Sequence, residues 1–297
     1  MTRGTGPQPA IGRRPERATP GVAQIRLERL GIRLEGQSVA GVETWLRVPE
    51  WSLAIDVGRA PEPVARCKHL ALTHAHMDHA GGLAQYLALR QLWGFDPPRV
   101  YAPAEACAEL RTIVDVWGRL HRRAFDWTLT PLEPGDEVEL GHGRWLRALP
   151  ADHVVPSLGY AVLERPRRRK AEYAEATPRT LRALVEQGAN VTEPSERVLL
   201  AISGDTLPSA IDRVEELRTA ETVLMETTFL DRRRSVADAR LGGHTHLDDI
   251  LLRGDGIRPH VWVPYHISQI YTPAQAKAVF LERLPPELQT RCRPLLP

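Results

Sequence analysis

Four side chains able to hold a metal fall within six residues of the segment Leu72-Thr-His74-Ala-His76-Met-Asp78-His79-Ala-Gly-Gly82. An apolar strand runs straight into them and a helix follows. His74 and His76 are two apart, so on extended backbone they point the same way and can share one metal. Asp78 and His79 come where the chain turns into the helix and can face a neighbouring metal. Imidazole and carboxylate donors suit zinc, manganese or iron. Gly81 and Gly82 would let the helix sit close beneath the ions.

Such a cluster needs partners from elsewhere in the chain, and three residues at the ends of apolar runs qualify. His153 follows Trp145–Leu149, Asp205 follows the nearly all-apolar Val198–Ser203, and His266 follows His260–Pro264. Strand ends along one edge of an α/β sheet are where sites are built. With His74 to His79 these make seven ligands. That is enough for two metals about 3.5–4 Å apart with Asp205 as the bridge.

The elements that must position these residues alternate along the chain. Apolar runs predict strands at Leu53–Val57, Leu70–Thr73, Arg99–Ala102, Val198–Ser203, Thr222–Met225 and His260–Pro264. Helical spacing predicts helices at Ala80–Trp93, Ala104–Leu120, Pro178–Gln187, Pro208–Leu217, Leu247–Arg253 and Pro273–Leu284. The alternation argues for an α/β class. Residues 1–21 carry Gly, Pro, Thr and Arg without an apolar period and read as a disordered tail, with one domain over 22–297. The tail has no apolar core of a secretory signal. Its Arg-rich start resembles a transit peptide, but its prolines oppose an amphipathic helix. The rhythm breaks at Glu164–Ser195, which reads as a basic insertion projecting from the core.

Composition narrows the class further. No run of about 18 apolar residues exists, so no membrane-spanning helix is expected. Lys and Arg number 39 against 37 Asp and Glu, a balance that leaves any nucleic-acid affinity to local clusters. The three cysteines, Cys67, Cys107 and Cys292, are widely spaced. That argues against a disulfide framework or a cysteine zinc site and for a reduced, cytoplasmic protein.

In this order, His74-x-His76-x-Asp78-His79, His153, Asp205 and His266 resemble the metallo-β-lactamase superfamily, from roughly Ile25 to the C-terminus. Asp56, in Leu-Ala-Ile-Asp-Val-Gly, matches its first, mainly structural, aspartate. The resemblance implies a four-layer αββα sandwich, a fold shared by hydrolases of β-lactams, thioesters, lactones and RNA. Further motifs are similar to those of the tRNase Z family, closest to its short, plant and cyanobacterial-like members. They are Glu226 in Met-Glu-Thr-Thr-Phe-Leu-Asp231, Gly243-His244-Thr-His246-Leu247, His153 with Gly159-Tyr160, and His266-x-Ser268-x-x-Tyr271. Gly-x-Glu-Thr at Gly41–Thr44 and Asp-x-Gly-Arg at Asp56–Arg59 join them. Two features depart from the family: Ile270 stands where an Arg is usual, and the insertion is shorter and more basic than many bacterial arms.

The resemblance implies an endoribonuclease that removes 3′ trailers from precursor tRNA with two Zn2+ per subunit, Mn2+ or Fe2+ being alternatives. His74, His76 and His153 would hold one ion and Asp78, His79 and His266 the other. Asp78 would also accept the proton of the attacking water. His244, outside the ligand set, would be the general acid, oriented by Glu226. The insertion lies where the family's tRNA-clamping arm emerges, so Arg167, Arg168, Arg169 and Lys170 are expected on tRNA phosphates. A homodimer is implied, one subunit's arm clamping tRNA at the other. The competing reading is another hydrolase of the superfamily, acting on a small ester, thioester or phosphodiester without the Glu226/His244 pair.

Overall fold

The computed structural model describes residues 21–297. Apart from Gly21, the expected tail lies outside the described residues. Two sheets stack face to face. The first runs in the order β1 (Ala23–Leu27), β2 (Ile32–Ala40), β3 (Glu43–Val48), β4 (Leu53–Ile55), β5 (His69–Ala71), β6 (Arg99–Pro103) and β7 (Thr128–Leu132). The second comprises β8 (Glu137–Gly141), β9 (Arg144–Pro150) and β10 (Leu158–Glu164), then β13 (Arg197–Ile202), β14 (Thr222–Glu226) and β15 (Val261–Tyr265). Between β10 and β13, the short strands β11 (Arg167–Arg169) and β12 (Thr192–Pro194) pair only with each other. The last strand, β16 (Ile267–Ser268), crosses back to lie parallel to β2.

Facing apolar side chains fill the space between the sheets, among them Leu46, Ile55, Tyr101, Leu146, Tyr160, Ile202 and Val263. Helices α1 (Glu62–Ala65), α2 (Met77–Ala80), α3 (Leu83–Leu92) and α4 (Cys107–Leu120) belong to the first half. Val64, Tyr86, Leu87 and Val114 from α1, α3 and α4 pack on that sheet's outer face. Helix α5 (Pro178–Glu186) sits in the insertion. The rest are α6 (Ser209–Arg213), α7 (Glu216–Thr219), α8 (Val236–Leu241), α9 (Leu247–Leu251), α10 (Pro273–Arg283) and α11 (Pro286–Gln289). Ile211, Leu217, Ile250, Phe280 and Leu288 from these cover the second sheet. The result is the expected αββα sandwich.

Local chemistry explains where the elements stop. Thr272 caps α10 reciprocally with Gln275, ahead of Pro273 in the first turn. The helix expected over Ala80–Trp93 is broken at Gly81-Gly82 into α2 and α3. A Cβ on Gly82 would lie 2.5 Å from the Ala60 nitrogen and 2.7 Å from the Gly58 oxygen. Gly82 therefore serves the close approach of the Asp56–Ala60 loop, and that corrects the expectation that it makes room beneath metal ions.

Candidate metal centre

The strands deliver the polar residues to one edge. β9, β13, β14 and β15 run in a common direction. His153, Asp205 and His266 follow the ends of β9, β13 and β15, and Glu226 ends β14. The segment after β5 carries His74 and His76 into α2, whose first turn holds Asp78 and His79.

Seven side chains converge there in two groups. His76 Nδ1 lies 3.0 Å from His74 Nε2 and 3.4 Å from His153 Nε2. His79 Nε2 lies 3.2 Å from His266 Nε2, and Asp78 Oδ2 is 3.6 and 3.5 Å from these two atoms. Asp205 Oδ2 faces both groups, at 3.8 Å from His74, 3.4 Å from His79 and 3.3 Å from His266. His74, His76 and His153 form one triad whose donor atoms could share an ion, and Asp78, His79 and His266 form another.

Four of the seven side chains are oriented from behind. His79 Nδ1 is 2.8 Å from Asp56 Oδ2, while the Thr73 N–H and hydroxyl donate to the same carboxylate. His153 Nδ1 donates to the Gly243 carbonyl at 2.9 Å. His266 Nδ1 meets the Thr228 hydroxyl at 3.2 Å. The Gly41 N–H donates to Asp78 Oδ2 at 2.7 Å. Such partners fix which ring nitrogen is free for a metal. Asp56 and His266 have φ of +56° and +58°. That conformation is costly for residues with a Cβ, and strain of this kind concentrates at functional positions.

The electrostatics ask for a cation. Asp205 is buried; burial opposes its charge, yet His266 and His79 hold its carboxyl well below the usual range. Its Oδ1 is buried with no hydrogen-bond partner among the described residues. Burial likewise opposes a charge on His79, but Asp205 and Asp56 raise its pKa well above the ordinary value. A proton there supplies the positive charge that a metal would supply instead. Asp78 stays ionised, below the usual range despite partial burial, through His266, His79 and the Gly41 N–H. The donor set therefore fits divalent metal.

Beside the triads, His244 Nδ1 lies 3.2 Å from Glu226 Oε1 and 3.9 Å from Asp205 Oδ2. Burial lowers the His244 pKa, but Glu226 overrides it and the value rises to about 9. Glu226, fully buried, is more than a partner for one imidazole. Its Oε1 also accepts from the Thr206 and Thr245 N–H groups, and its Oε2 accepts from the Thr228 hydroxyl. It thus links the His244 segment to His266. A cavity of ≈ 770 Å³ opens beside His153 and Val154, lined also by Leu132, Glu133 and Pro156.

The basic residues of the insertion lie away from this network. Arg167 bonds Thr192 and Asn190, Arg168 bonds Glu193, and Arg169 donates to the Ala174 carbonyl. Lys170 is 3.8 Å from Glu172. Sequence reasoning missed Gly41, Thr73 and Thr228 as supports. Gly41 and Thr228 sit inside family-like motifs, but nothing in their residue type marks their partners. His246 accepts from the Asp248 N–H at the start of α9.

This centre on an αββα sandwich defines a class, and residues 49–267 match the Beta-lactamase superfamily domain. The chloroplastic tRNase Z TRZ2 of Arabidopsis thaliana is 30% identical over 84% of this chain and 72% of its own. The tRNase Z TRZ1 of the same plant is 30% identical over 88% and 94% respectively. The human short-form tRNase Z shares the fold, with a TM-score of 0.54 at 16% identity over 79% of this chain and 92% of that one. The chain belongs to the tRNase Z family of the β-lactamase superfamily.

Proposed function

We propose that this protein is a zinc-dependent endoribonuclease that removes the 3′ trailer from precursor tRNA. The observation that carries the reading is the pairing of two ligand triads around Asp205 Oδ2 with a separate imidazole, His244, held by Glu226. Family membership narrows the polymer to tRNA, because the relatives are tRNase Z proteins.

RNA phosphodiester hydrolysis needs an activated water, charge relief at the phosphate and a proton for the leaving 3′ oxygen. His74, His76 and His153 would hold one ion, Asp78, His79 and His266 the other, and Asp205 would touch both. Divalent ions there supply Lewis-acid charge relief and acidify water toward a pKa of about 7. Asp78, an ionised member of the second triad, accepts the water's proton. His244 gives its proton to the 3′ oxygen. With a pKa of about 9 it carries that proton at neutral pH. Glu226 keeps the ring charged and aimed. Nitrogen and carboxylate donors without thiolate leave manganese and iron as alternatives to zinc.

In our reading the insertion at about 164–195 is the tRNA arm. Arg167, Arg168 and Arg169 lie exposed on its strand pair, Lys170 follows half-buried in the turn beyond it, and Arg179 and Arg182 of α5 add charge. A homodimer lets one subunit's arm clamp tRNA at the other. Free cysteines suit a reducing compartment, here the cytoplasm. Among the described residues no helix is long and apolar enough to cross a membrane.

One experiment tests the core of this. The pure protein is incubated with a 3′-extended tRNA and with a generic phosphodiester, and the products are mapped. A discrete cut releasing the trailer is expected. Turnover of the small diester with the tRNA left intact would transfer the protein to the small-molecule hydrolases.

A further inference from the structure

Helix α8 leads directly into the two groups nearest the proposed proton donor. Its C-terminal turn closes through Gly242 N–H to Asp238 O, Gly243 N–H to Arg240 O and His244 N–H to Ala239 O, at 3.2, 3.0 and 2.9 Å. The Gly243 carbonyl then holds His153, and the next side chain is His244. Gly243 has φ of +76°, and a Cβ there would lie 2.7 Å from His153 Nδ1. The placement of α8 therefore sets a metal ligand and an acid together.

Little apolar packing holds α8. Ala239 is its one buried residue, and Leu241 is 85% exposed. Chain following His244 is stitched to the core: Thr245 bonds Thr206 and Glu226, and Leu247 bonds Phe229. On the α8 side the tie is ionic. Arg240 Nη2 reaches Asp249 Oδ1 of α9 at 2.5 Å, and Asp249 is completely buried. Asp249 Oδ2 has no hydrogen-bond partner among the described residues, and Arg253 approaches Oδ1 only to 3.9 Å.

A buried carboxylate with an incomplete set of partners is a poor device for stability, since desolvation consumes most of the gain. Its value is geometric. We infer that Arg240 and Asp249 are positioning residues: their bond locks α8 on α9 and so fixes Gly243 and His244 at the centre. The inference rests on the proposed reading, in which His244 is the proton donor.

The test uses the full chain loaded with zinc, with Arg240→Gln, Arg240→Lys and Asp249→Asn compared on 3′-extended tRNA and on a nitrophenyl phosphodiester. Arg240→Gln leaves the buried Asp249 without its arginine, so Tm is measured for every variant, and Arg240→Lys keeps a charge beside Asp249 where the others do not. Arg240→Gln is expected to lower kcat on tRNA roughly tenfold with KM unchanged, the scale seen when an orienting partner is removed. The nitrophenyl substrate, whose leaving group needs no proton, should lose less. Arg240→Lys should recover part of the loss, and in the folded metal-free protein the His244 imidazole NMR signal should broaden in the Gln variant. A rise in KM alone would make Arg240 a phosphate-binding residue and overturn the inference. Equal loss on both substrates with a lowered Tm would make the bond merely structural. Wild-type protein that cuts only the small diester would defeat the tRNA reading instead, leaving the NMR signal to decide the positioning role.

Discussion

The candidate metal centre and the basic insertion are both dense in charge, yet they are built oppositely. In the centre, partners come from distant parts of the chain: His79 meets His266, and the His266 N–H donates to Ser38. Most of the groups are buried and shared, and Glu226 alone serves four donors. In the insertion the residues Arg167, Arg168 and Arg169 find partners on the neighbouring strand, in the nearby turn or in the segment between, and all are exposed. Shared, buried polar groups stand or fall together, whereas exposed local pairs are replaceable one by one. The insertion should therefore be editable without touching chemistry, and the centre should not.

The sharpest way to break this contrast is Asp205→Ala. It removes the one oxygen that faces both triads, so bound metal should fall from about two ions per subunit toward none, with activity at background. Elemental analysis showing two ions retained would mean that the triads do not share Asp205.

Next comes His244→Ala, which lies outside the triads. Metal content should persist while tRNA turnover falls about 10²–10⁴-fold, the usual worth of a placed acid. The pH profile gives the sign. Glu226 raises the His244 pKa to about 9, so the acid form persists through neutrality and kcat should decline as pH rises past that value. Glu226→Gln removes the largest raising influence, so the alkaline limb should move to lower pH. A limb that stays in place would detach Glu226 from the proton donor.

Smaller effects belong to the insertion. Replacing Arg167, Arg168, Arg169 and Lys170 with Ala should weaken tRNA binding. The salt slope should shrink by about 0.7–0.9 for each phosphate that is no longer neutralised. Cleavage of a small diester should be unchanged, and a parallel loss there would show that the two regions are coupled after all. Smallest of all is the single pair Arg168–Glu193, whose side chains are 69% and 36% exposed. Breaking it should cost about 0–1 kcal/mol in denaturant unfolding. A larger cost would make the insertion's own sheet a structural support.

How much of this was legible beforehand follows the same division. The candidate ligand residues that the fold brings together stood out because they sit where apolar runs end, and four of them are nearly consecutive. The six expected strands appear within a residue or two of their places. The strands β1, β2, β3 and β8 did not stand out, because charge interrupts their apolar period. In β2, the buried Glu35 pairs with Arg47 reaching across from β3 and with Arg33 of its own strand. The helix expected over Pro208–Leu217 divides into α6 and α7 because Val214 takes an extended conformation, ψ 108°. The network behind the ligands was invisible for another reason. It is made of backbone N–H groups and threonine hydroxyls whose residue types are uninformative until the chain is folded.

One connection described above bears on folding. β16 carries the chain from His266 onto β2, so the last ligand is seated only when the C-terminal part of the chain has returned to the first sheet. Pairings this far apart in sequence form late, because the intervening loop entropy must be overcome first. A folding chain whose segment after β15 has not yet reached β2 can form much of its first sheet, but His266 is not yet in place and the second triad is incomplete. Activity is thus expected to appear only when β16 docks on β2, so that this docking is the step that arms the site.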